Sequence, residues 1–116
     1  MKIIVTGGRD FLDKQFIYKT LESLHPTYII HGGATGADSL AGDFAKEKNI
    51  IECVYKANWN LHGKKAGPIR NKEMCHENQD ATLVAFPGGK GTANCIQEAT
   101  CIGMNIIKVK YEQSAG

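Results

Sequence analysis

Three glycine turns carry the residues of this chain best suited to hold an anion. Gly7 and Gly8 run into Arg9 and Asp10; Gly32, Gly33 and Gly36 precede Asp38; and Gly88, Gly89 and Gly91 lie in the segment Pro87-Gly88-Gly89-Lys90-Gly91-Thr92. Glycine lets backbone N–H groups approach a ligand without an intervening Cβ. A helix that follows such a turn adds unpaired N–H groups and partial positive charge, a combination that suits phosphate. Each side chain around the turns has a second, purely structural reading. Thr92 supplies a hydroxyl donor or caps a helix; Lys90 is a counter-charge or a solvated lysine; and Arg9 and Asp10 reach the rim or pair in solvent. Asp38 accepts from a ribose hydroxyl or the glycine loop, or it forms a capping box with Thr35.

These turns need elements to position them, and five β-rich runs alternate with helical patterns. The runs are Ile3–Val5, Tyr28–Ile30, Ile50–Tyr55, Ala81–Phe86 and Ile106–Val109. Between the first two, Leu12, Phe16, Ile17, Leu21 and Leu24 recur at helical spacing; 36–48 and 92–102 show the same period. Such alternation implies an α/β fold, a parallel sheet with helices on both faces. Glu52 sits among apolar residues of the third run and marks it as an edge. The expected architecture is therefore a three-layer, Rossmann-like sheet of about five strands in the order 3-2-1-4-5. The glycine turns then fall after strands one, two and four, at the carboxyl ends where open sheets bind ligands.

Residues 56–67 show no periodicity, and a connection of that length suits a lid or binding loop. It holds Trp59, which stacks a base or covers an edge of the core. Pro68 is expected at the first helical position beyond it. That helix has a thin apolar face and carries Arg70 and Asn71 early, which points it toward a ligand or partner. His31 reads as a hydrogen-bonded core histidine. No Walker-type G-x-x-x-x-G-K-[ST] is present, which argues against a magnesium-dependent NTPase.

Composition limits the rest. The chain has 116 residues, 42% of them hydrophobic, and a net charge of +2, which suits one domain over 1–110 with a flexible tail at 111–116. That charge is too small for a dedicated nucleic-acid binder. No apolar run is long enough to span a bilayer, and the N-terminus reads as a strand, so a cytoplasmic location is expected. The four cysteines have neither a CxxC pair nor ligand spacing with histidine, so they are read as small buried hydrophobes with no metal implied. Glycine, at 13 residues, is about 11% of the chain against an average of about 7%.

The segments VTGGRDF (5–11), HGGATGAD (31–38), Trp59 through AGPIRN (66–71) and PGGKGT (87–92) together resemble the SLOG superfamily, in particular its YspA/YpsA-related branch. The resemblance covers nearly the whole chain. PGGKGT is similar to the PGGxGT phosphate loop of the LOG phosphoribohydrolases. The resemblance implies a Rossmann-like domain that needs no cofactor and binds a nucleotide or nucleotide-derived ligand: an ADP-ribose- or NAD-related molecule or a nucleoside monophosphate. It also implies self-association. Arg70 matches an arginine that assists catalysis in LOG proteins. Their glutamate, two or three residues after the threonine of the loop, is replaced here by Asn94 and Cys95. The nearest carboxylate on that helix, Glu98, lies about 9 Å beyond Thr92 at 1.5 Å per residue. The expected function is thus ligand binding as a sensor or sequestering module. The alternative is a nucleotide N-glycosidase using Arg70 with Glu98, Asp38 or Asp10. Single-stranded nucleic-acid binding through Lys64, Lys65, Arg70 and Lys72, as in the DprA relatives, is a weaker third reading.

Overall fold

The computed structural model describes residues 1–111. Strands β1 (Lys2–Thr6), β2 (Tyr28–His31), β3 (Ile51–Val54), β4 (Thr82–Ala85) and β5 (Asn105–Lys108) form one parallel sheet in the order β3-β2-β1-β4-β5. The expected order is the observed one, and Glu52 does lie on an edge strand. Helices α1 (Lys14–Leu24), α2 (Ala37–Glu47), α4 (Ala66–His76) and α5 (Lys90–Cys101) cover the sheet, and the short α3 (Trp59–His62) joins the rim. No helix among the described residues is long and apolar enough to cross a membrane.

Side-chain alternation along the central strands builds two cores. Ile3, Val5, Ile29 and Val84 pack on one face against Ile17 and Leu21 of α1 and Ala41 and Phe44 of α2. Ile4, Ile30 and Leu83 face the other way, onto Met74 and Cys75 of α4 and Cys95 and Ala99 of α5. The three-layer expectation holds, and the register sets where the strands stop. Val5 pairs with both His31 and Val84, so β1, β2 and β4 end at nearly the same level. Their turns must therefore meet at one rim.

Four local expectations need correction. Leu12 lies outside α1 and is exposed; the helix starts after Asp13, whose carboxylate accepts from the Phe16 amide at 3.1 Å. Residues 56–67 are not one irregular loop, because Asn58 caps α3 through the Leu61 amide and a 3-10 turn over Gly63–Lys65 follows. Helix α4 begins at Ala66, so Pro68 is its third residue, still within the first turn whose amides lack helical acceptors. Cys101 is exposed and Cys53 half-buried; only Cys75 and Cys95 are buried, with their sulfurs 3.9 Å apart.

The boundary of the expected tail also moves. Tyr111 donates to Asp13 Oδ2 at 2.7 Å and packs edge-on against Phe11 and Phe16, with ring centroids 4.8 Å away in each case. The rest of the expected tail, 112–116, lies outside the described residues.

Candidate ligand-binding cleft

A cleft of about 500 Å³ opens at the carboxyl ends of β1, β2 and β4, within the usual size of small-molecule sites. The turn after β1 contributes Gly7, Gly8, Arg9 and Asp10; the β2 side contributes Gly32 and Asp38; and the α5 side contributes Gly89, Lys90, Gly91 and Thr92. Trp59 of α3 and Arg70 and Asn71 of α4 close the opposite wall. Sequence reasoning named all of these. It gave no cleft role to Thr6, Ala34, Gly67, Pro68 or Met74, and it considered Lys64 only for nucleic acid and Asn94 only as a lost carboxylate. All of them line the cleft. Asn94 lies one helical turn beyond Lys90, which is the signal that could have placed it.

The rim is joined backbone to backbone. Gly8 donates to Pro87 O at 2.8 Å, and the Ala37 amide donates to Gly8 O at 3.2 Å. Two glycines make this approach possible. A Cβ on Gly88 would lie 2.8 Å from Gly8 N and drive into the Thr92 side chain, while Gly36, at φ +77°, would strike the Gly8 and Arg9 carbonyls. Gly33, Gly36, Pro87 and Gly88 do not line the cleft; Pro87 and Gly88 instead line a smaller pocket with Ala85, Ile96 and Lys108. Gly89 and Gly91 differ: a Cβ on either meets nothing within 4 Å, and neither has a positive φ.

Gly89, not Thr92, is the N-cap of α5, so the N-cap reading of Thr92 is corrected. The first helical bond runs from the Ala93 amide to Gly89 O at 3.0 Å. The amides of Lys90, Gly91 and Thr92 therefore have no acceptor within the helix. Four cations share the cleft with them. Arg9, Lys64, Arg70 and Lys90 line the cleft, and none is within salt-bridge reach of a carboxylate among the described residues.

Asp38 and Arg70 hold the β2 turn between them. The capping box of Asp38 with Thr35 does not form, since Gly36 occupies the N-cap. The nearly buried Asp38 Oδ2 instead accepts from the amides of Gly32 at 3.1 Å and Ala34 at 3.3 Å. Burial pushes this carboxyl above its ordinary pKa, against the pull of the Ala34 amide, His31, Arg70 and the Gly32 amide. Arg70 Nη1 donates to Gly32 O at 2.7 Å and Tyr55 O at 3.3 Å, while its Nε donates to Asn71 Oδ1 at 2.8 Å. Asn71 in turn donates to Gly91 O at 3.2 Å and Asn94 Oδ1 at 3.0 Å. One chain of polar contacts thus runs from the β2 turn to the first turn of α5.

Beneath the same turn, the Gly33 amide donates to His31 Nδ1 at 3.0 Å, so the ring proton sits on Nε2, which faces Glu52 Oε2 at 2.6 Å. This is the hydrogen-bonded core histidine expected from its position. Glu98 is not brought to the cleft; its carboxylate lies 3.8 Å from His76 Nε2 on the neighbouring α4. Among the described residues, no group of three or more His, Cys, Asp or Glu side chains converges as a metal site.

Comparison with known proteins agrees with the fold. The chain is 36% identical to the Gene 61 protein of Mycobacterium phage D29 over 118 residues, covering 91% of this chain and 94% of that one. Among solved structures it is similar to DNA processing protein A (DprA) of Streptococcus pneumoniae, with a TM-score of 0.52 and 15% identity. That match covers 91% of this chain but 58% of DprA, and it shows the fold. The model of the YspA, cpYpsA-related SLOG family matches residues 1–62. With a matching model over half its length and a close relative along nearly all of it, the chain belongs to the YspA, cpYpsA-related SLOG family.

Proposed function

We propose that the cleft binds a nucleotide or nucleotide-derived ligand, with phosphate on the first turn of α5, and that the protein senses or sequesters this ligand without turning it over. One observation carries the reading. Lys90, Gly91 and Thr92, whose amides have no helical acceptor, line a cleft with four cations that lack carboxylate partners among the described residues, beside two glycines that no neighbour and no positive φ requires. An anion that approaches the backbone closely accounts for all three features. Family membership supports nucleotide-related binding or processing. The phosphate-bearing candidates are nucleoside monophosphates, ADP-ribose and NAD-related molecules.

Binding without turnover is preferred on the position of the carboxylates. Hydrolysis of an N-glycosidic bond needs one at the sugar. Glu98 is outside the cleft, Asp38 is engaged by two backbone amides, and Asp10, which does line the cleft, stands at the glycine rim with its Oδ1 beside Gly8, on the side assigned to phosphate; base release abolished by Asp10→Asn would overturn this preference. Arg70 is likewise spent on holding Gly32 and Asn71, which favours a positioning role over a catalytic one.

The direct test is to denature the purified protein and identify any released nucleotide by mass spectrometry. A thermal-shift panel of AMP, ADP-ribose, cyclic ADP-ribose and NAD comes next, since a ligand at 100 times its Kd stabilises by about 2.7 kcal/mol. If Gly89→Val leaves the affinity of the stabilising compound unchanged, phosphate does not sit on α5. The proposal includes a cytoplasmic, self-associating protein, to be checked by cell fractionation and light scattering.

A further inference from the structure

Trp59 belongs to neither core. The residue is 49% exposed, is absent from both apolar clusters, and sits on a four-residue helix that buries nothing. Exposed Leu12 and Leu61 do not line the cleft and need no explanation beyond ordinary surface composition. Trp59 does line it, and two neighbours frame its ring. The Arg9 guanidinium carbon lies 5.6 Å from the ring centroid. Gly67 faces the far edge of the indole, where an added Cβ would stand 3.5 Å from Cη2. Arg9 directly follows Gly8, the residue bonded to Pro87 O, so the cation over the indole is carried by the residue next to the rim.

Resting on the phosphate-binding reading above, we propose that Trp59 is the platform on which the ligand's nucleobase stacks, with Arg9 bridging the base end and the phosphate end of the cleft. Every candidate named above carries an aromatic base, and the platform gives that base its place in the cleft. A π-face is common to every base, so a stacking platform rewards the presence of a base more than its identity. The Arg9 contact holds the indole at the cleft wall before ligand arrives.

The test compares AMP and ADP-ribose with ribose 5-phosphate, which has no base, by calorimetry on the wild type, Trp59→Phe and Trp59→Ala. The expected result is that Trp59→Ala weakens AMP and ADP-ribose by roughly tenfold or more. Ribose 5-phosphate is unaffected, and Trp59→Phe keeps most of the difference. Because the chain has one tryptophan, selective indole excitation reports only this ring. AMP should change its emission saturably, and ribose 5-phosphate should not.

Equal weakening of all three compounds by Trp59→Ala, or no weakening, overturns the platform. So does unchanged indole emission at saturating AMP. If ribose 5-phosphate binds the wild type as tightly as AMP, the phosphate reading stands and the platform alone falls. If AMP, ADP-ribose, NAD and ribose 5-phosphate all fail to bind, the phosphate reading falls and takes the platform with it. Unchanged unfolding midpoints for both variants, expected because α3 buries no side chain, exclude a folding defect as the cause.

Discussion

Two glycine-to-alanine changes separate a glycine that the fold requires from one that the proposed phosphate would require. Gly91 is the second residue of α5, its backbone is helical, and an added methyl meets nothing within 4 Å. Alanine there restricts the unfolded chain and should stabilise by about 0.4–1 kcal/mol. At roughly 4 °C per kcal/mol for a domain of this size, the midpoint rises by roughly 2–4 °C. The same methyl stands where an anion would approach the Gly91 and Thr92 amides. A hydrogen bond to a charged group contributes about 1.5–3 kcal/mol, so losing one weakens binding about tenfold or more. Gly88→Ala should behave in the opposite way. Its Cβ would press on Thr92 Cβ and Gly8 N, each at 2.8 Å, and overpacking of that kind costs about 1–3 kcal/mol. Calorimetric unfolding measures the first quantity in each variant, and titration with whichever nucleotide the thermal-shift panel selects measures the second. A stabilised Gly91→Ala with unchanged affinity would show that no phosphate touches this turn. An undiminished midpoint for Gly88→Ala would sink the stitched-rim description.

Four further outcomes are expected from the contacts. Arg70→Ala leaves the Gly32 carbonyl and the Asn71 amide oxygen without their donor and should lower stability by about 1–3 kcal/mol in denaturant titration, with Arg70→Lys rescuing little of it. Burial raises the Glu52 carboxyl, but the bonds from His31 and Lys46 outweigh it and hold its pKa below the ordinary glutamate value. A carboxyl depressed by folding contributes stability above its unfolded pKa and loses it as the pH falls through the folded one, so Glu52→Gln should flatten the acid limb of a stability-against-pH curve. Glu98→Gln should leave nucleotide affinity unchanged in the same titration, because the side chain faces His76 and not the cleft. A thiol reagent should label Cys101 fastest in the folded protein and reach Cys75 and Cys95 only on unfolding, as read by mass spectrometry.

Strand order was legible because the central strands are short apolar runs and Glu52 marks the outer one. The cleft was legible because its glycines sit directly after those strands. What sequence could not show were contacts between residues far apart in the chain. Arg70 meets Gly32 across 38 positions through a backbone carbonyl, which leaves no pattern in residue types. The Asp38 spacing fits a capping box, but the positive φ of Gly36 turns the chain so that the carboxylate reaches back to Gly32 and Ala34. Helix α3 is one turn long, too short for any period to emerge, and Pro68 misled because it is tolerated anywhere in a first turn. Tyr111 looked like tail because its partners, Phe11, Asp13 and Phe16, lie at the other end of the sequence.

The two sides of the cleft are built to very different standards of permanence. Its glycine rim is joined through main-chain bonds that every substitution around it must respect, whereas no residue of α3 or of the 3-10 turn at Gly63–Lys65 is buried. Lengthening or replacing 59–65 would disturb neither core, and surface segments of that kind tolerate insertion at little thermodynamic cost. The 59–65 segment of the wall can thus be exchanged while the rim, and the Arg70 and Asn71 bonds that brace it, are kept. Under the proposed function, grafting a different 59–65 segment redesigns which molecule the cleft accepts.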